Sequence, residues 1–156
     1  MLLFLLRATL PQIQPFCSTI TSTYSSVAKG SNLRNIKFTY LYRDGSNYKK
    51  WGEIVFSNPD ALATEAVAQI LKGIFLEDGL FIAHQVRVPE VFLAAEDGLT
   101  KDDHCFHEFD SVAATRDSPN DLYCRSISSF ITEVAKEARR GWRAFNPQER
   151  LPQMAE

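Results

Sequence analysis

A two-layer α+β sandwich, with a mainly antiparallel sheet and two helices on one of its faces, is the fold this sequence predicts. Three observations lead there. Residues 36–43 show strand-like alternation with a β-rich run following at 51–57, and two later segments carry apolar residues at helical spacing. Short β-rich runs fall between and around those helices, giving the order β-β-α-β-β-α.

In IKFTYLYR, residues 36–43, Ile36, Phe38, Tyr40 and Tyr42 share one side, and Lys37, Thr39, Leu41 and Arg43 the other. DGSN brings turn chemistry: Gly45 is expected to take the positive φ, and Asp44 or Asn47 the local hydrogen bonds. WGEIVFS, 51–57, is a second β-rich run, so the two predict a hairpin. Asn58-Pro59-Asp60 then breaks the strand. From about Ala61, Val67, Ile70, Leu71 and Ile74 mark a helix face, with Glu65 near the helix's positive end.

Asp78-Gly79 closes that segment, and LFIAHQVRV, 80–88, reads as a third strand ended by Pro89. A fourth strand is expected from about 104 to 114. Ser118-Pro119-Asn120-Asp121 is a loop. In the last helix, Ile127, Phe130, Ile131, Val134, Ala138 and Trp142 share a face, with Ser126 as N-cap and Gly141 just past the end.

At 156 residues the chain is one domain's worth, and 45% hydrophobic with 23% charged residues is ordinary for a globular protein. The net charge of −2 makes no electrostatic case for nucleic acid or an anionic membrane as partner. The first 43 residues hold no Asp or Glu, so the remainder carries all 19 acids and is itself acidic. Residues 1–35 read as a disordered leader or an upstream misassigned start. Arg7 interrupts the opening apolar run far short of a membrane span, and no signal-peptide cleavage site follows. The single domain is expected over 36–146, with 147–156 a fraying tail. Cys17, Cys105 and Cys124 form an odd, widely spaced set without a CxxC pair, which predicts reduced thiols in a cytoplasmic protein.

YLYRDGSNYKKWGEIVFSNP, FIAHQVRVPEVF and HEFDSV resemble a family of small uncharacterised bacterial proteins. The resemblance covers 36 to about 146. It implies no activity, cofactor or residue role.

The stretch nearest to chemistry is DDHCFHEFD, 102–110, with four acids, two of the chain's three histidines and one of its three cysteines. Read as a regular strand, it puts His104, Phe106, Glu108 and Asp110 on one face and Asp103, Cys105, His107 and Phe109 on the other. His104 with Glu108 and Asp110 is the exposed candidate for acid–base work, and His107 beside Glu108 the second. Asp103, Cys105 and His107 would make a mixed donor set for zinc, but Cys and Phe on that face predict a core side. Neither spacing is a metal signature, so no metal site is assigned and no cofactor is expected.

The hairpin loop offers Arg43, Tyr48, Lys49 and Trp51, with Lys50. This is a mix of cations and rings that a phosphate- or base-stacking surface uses, so nucleic-acid or phosphate binding is the reading for the hairpin, disfavoured by the acidic remainder; a solvated hairpin tip has the same composition. Arg139, Arg140 and Arg143 complement a helix C-terminus, and His84 has no partner legible in the sequence. Complete fold signals without a complete reaction site favour a non-catalytic module that binds another protein, through a sheet face exposing Tyr40, Tyr42, Leu41 or Arg43. The alternative is a hydrolase-like or metal-dependent enzyme on strand 102–110.

Overall fold

The computed structural model describes residues 34–93 and 103–150. Most of the expected leader, Cys17, Asp102 and the end of the chain lie outside those residues. Strands β1 (Asn35–Arg43), β2 (Lys49–Phe56), β3 (Leu80–Phe81) and β4 (His107–Thr115) form one sheet of order β2-β1-β4-β3, every pair antiparallel. Helices α1 (Thr64–Ile74) and α2 (Ile127–Arg140) pack on one face of it, and α3 (Pro147–Arg150) adds a single turn within the segment expected to fray. The α+β class and the mainly antiparallel sheet therefore stand.

Alternation in β1 drives the packing. Ile36, Phe38, Tyr40 and Tyr42 are all buried on the helical side, where Ile54, Phe56, Phe81 and Phe109 meet Val67 and Leu71 of α1 and Phe130 and Val134 of α2. Phe38 lies at the centre, its ring within 5.2–6.5 Å of those of Tyr40, Phe56, Phe81, Phe109 and Phe130. Each such side chain contributes roughly 1.5–3 kcal/mol by leaving water. Tyr40 and Tyr42 are thus core residues, which corrects the expectation that they face a partner.

Three local readings change. In the hairpin turn Asn47, at φ 70°, takes the left-handed conformation in place of Gly45. The Asp44 carboxylate accepts the Ser46 and Tyr48 amides at 2.9 and 2.8 Å, closing the turn without glycine's freedom. The third strand is only Leu80–Phe81; Ala83–Val86 coils into a 3-10 turn whose Ala83, Gln85 and Val86 are all buried. A short apolar run buried on every side carries no alternation to distinguish strand from turn. The fourth strand begins at His107, not 104, because residues 103–105 are drawn off the sheet. The His104 amide donates to Tyr42 Oη at 3.2 Å, and the Phe145 amide donates to Cys105 Sγ at 3.4 Å.

Candidate functional site

The late start of β4 and a bulge reorganise the candidates of strand 102–110. His107 and Phe109 face the core and Glu108 the outer side, as alternation requires. Thr39 pairs with Ser111 but Tyr40 with Phe109, so Asp110 is the extra residue of a β-bulge, exposed and accepting from Ser111 Oγ at 2.7 Å. Glu108 receives the Arg43 guanidinium as a two-pronged fork, both bonds 2.8 Å. His104 lies before the strand with its ring edge-on to Tyr42, 5.3 Å between centroids. His104, Glu108 and Asp110 are therefore not assembled, and His107 and Glu108 lie on opposite faces. Among the described residues no three His, Cys, Asp or Glu side chains gather in a way that could hold a metal ion.

What the segment does build is a cleft of about 580 Å³. Asp103, His104, Cys105 and Phe106 line one side, and residues 144–148 the other. His104 Nδ1 accepts the Phe106 amide at 3.3 Å, so in the neutral ring the proton sits on Nε2. Tyr42 donates to Asp103; burial, and next that bond, push its phenol far above its ordinary value, so it stays a donor.

His107 is fully buried among the rings of Tyr40, Tyr42, Phe81 and Phe92. Its Nε2 accepts the Val91 amide at 3.0 Å, which puts the proton on Nδ1, buried and without a well-aligned hydrogen bond among the described residues. Burial drives its pKa down to about 4, with only the backbone of Cys105 opposing. The same short segment is held by Tyr40 Oη on the Pro89 carbonyl, 2.8 Å, and Lys50 Nζ on the Phe92 carbonyl, 2.9 Å.

His84, without a partner in the sequence reading, has two here. Its Nδ1 lies 2.8 Å from Arg150 Nη1 and 3.5 Å from Glu90, and Arg150 also grips Glu90 at 2.8 and 3.2 Å. Burial, then Arg150 and Arg143, lowers the pKa of His84; burial raises that of Glu90 against the pull of Arg150. A sequence signal for Arg150's position existed in Asn146-Pro147: an N-cap followed by proline at the first helical position. The Asn146 side chain does accept the Gln148 amide at 3.0 Å.

At the hairpin, Arg43 is committed to Glu108 and Asn47, and Lys50 to Phe92. Tyr48 and Trp51 are left exposed, at 69% and 52%, with Lys49 between them and no ion-pair partner for it among the described residues. Leu41, across from Trp51 on the outer face, is nonetheless only 4% exposed. β2 is an edge strand. At its far end the Val55 amide and carbonyl turn away from β1 to Asn120, at 2.8 and 3.0 Å. At the two-residue period of a strand, the backbone groups of Glu53, Trp51 and Lys49 point the same way, and no described residue pairs with them.

No helix of the described residues is long and apolar enough to cross a membrane. Comparisons with protein-family models, curated proteins and solved structures return no match.

Proposed function

We propose that this domain is a non-catalytic protein-interaction module that accepts a partner polypeptide as an added strand on the free edge of β2. One observation carries the reading: the outward backbone groups of Lys49, Trp51 and Glu53 stand unpaired among the described residues, flanked by the exposed rings of Tyr48 and Trp51. Main-chain hydrogen bonds supply affinity in strand addition, and alternate side chains supply selectivity.

Glu53→Pro tests it, since it removes an outward N–H that the β1 ladder does not use. Affinity capture with wild-type and Glu53→Pro baits is expected to yield a protein that the variant holds about tenfold less well, about 1.4 kcal/mol. That protein must also slow amide exchange at Trp51 and Glu53. Equal recovery on both baits, or binding that leaves those amides unchanged, would overturn the reading.

A second reading, acid–base chemistry by His104, is favoured by the cleft over Asp103 and Cys105. Its companions Glu108 and Asp110 being elsewhere, it ranks below the first.

A further inference from the structure

The edge of β2 has a definite length. Toward the turn it ends at Lys49, because the next outward position, Asn47, is in the left-handed conformation of the turn, at φ 70°. Toward the other end it stops at Val55, clamped by Asn120. Within these limits three residues present outward backbone groups: Lys49, Trp51 and Glu53. The middle one is the exposed tryptophan, and a cation and an anion stand two residues to either side of it.

We infer that the strand added here is β2 of a second copy of this chain, antiparallel and with its two-fold axis at Trp51. The inference rests on the strand-addition reading above and names its partner. Antiparallel pairing about residue 51 sets Lys49 opposite Glu53 of the second copy, Trp51 opposite Trp51 of the second copy, and Glu53 opposite Lys49 of the second copy. All three are directly hydrogen-bonded positions, because the outward groups of both strands belong to these residues. Their side chains share the outer face, where opposite charges and aromatic rings directly across from each other are favourable.

The monomer leaves this pattern unanswered. Lys49 pairs across the ladder with Arg43, a like charge whose own partner is Glu108. Among the described residues Glu53 has only a long contact to Lys37, 3.4 Å, with both side chains open to water. A lysine on an edge strand ordinarily repels a second strand. Here the two-fold places it against a carboxylate, and any register that moves the axis off Trp51 loses both pairs. The self-complementarity of charge about one ring points to a copy of the same chain in preference to an unrelated strand.

Sedimentation equilibrium on the full chain, across a concentration series, tests this with three variants at exposed positions. The wild type is expected to run as a dimer. Lys49→Glu and Glu53→Lys each place two like-charged pairs in the interface, and each is expected to raise the dissociation constant about tenfold or more. The doubly exchanged Lys49→Glu/Glu53→Lys chain restores opposite charges and is expected to return near the wild-type value. A wild-type dimer indifferent to all three changes would overturn the inference, the copies then meeting elsewhere. A wild-type monomer with fast amide exchange at Trp51 and Glu53 would also overturn it, while leaving the edge open to a different protein. A monomer in which those two amides exchange slowly would bring down both readings together, since the edge would then be covered within one chain.

Discussion

His107 sits where an imidazole is costly to charge. Protonating Nε2 would break its bond from the Val91 amide and put a cation among four aromatic rings without a carboxylate. Its pKa of about 4 lies below the ordinary 6.5, so over that interval the unfolded chain binds more protons than the folded one. Stability is complete above about pH 6.5 and falls as pH drops toward 4, by at most about 1.4 kcal/mol per unit from this group. His84, also lowered, adds in the same direction, and Glu90, raised, opposes it. Urea unfolding measured at several pH values is expected to show this loss. His107→Gln, which keeps an acceptor for Val91, should flatten the slope; an unchanged slope would refute the assignment.

Gly52 is a second single-residue constraint. A Cβ there would stand 2.5–2.8 Å from the Tyr40 ring, which is packed in the core with its hydroxyl fixed on Pro89. Gly52→Ala should therefore cost about 1–3 kcal/mol in thermal or chemical unfolding, although alanine is ordinarily harmless in a strand.

At the scale of elements, Arg125 ties three segments together. Its guanidinium bonds both oxygens of Asp121 at 2.7 and 3.0 Å, the Val86 and Arg87 carbonyls at 2.8 Å each, and Glu133 of α2. Removing it leaves the Asp121 carboxylate, whose side chain is 2% exposed, without its cation. Arg125→Met should cost about 3 kcal/mol, near the low end for a broken buried pair because Glu133 reaches water. Chemical denaturation would measure it, and a loss below about 0.5 kcal/mol would refute it.

Such ties explain what could be read beforehand. Helix α2 was legible because its signals are local: Ser126 Oγ accepts the Ser129 amide, and Gly141 at φ 89° ends the turn. β1 and the core side of β4 were legible from period two. The 3-10 turn at Ala83–Val86 was not, since long-range bonds hold it: the Gln85 side chain reaches the Gly141 carbonyl and accepts the Arg143 amide. Nor was the bulge at Asp110, which depends on register against β1. The exposed hairpin residues Tyr48, Lys49 and Trp51 could be picked out from composition. Their place on an open edge follows from strand order, which no local pattern encodes.

For the whole molecule, the two rims of the sheet are unequal. One is β2, with a run of outward backbone groups that no described residue pairs with; the other is two-residue β3 and, past it, residues 109–115 of β4, since β3 pairs only with His107 and Glu108. That second rim carries the bulge at Asp110, whose extra residue breaks the even spacing a further strand needs. A two-fold joins like rim to like rim and so uses up both β2 edges at once. Association of that kind terminates itself at a pair instead of running on into a filament, and the bulge guards the rim left over.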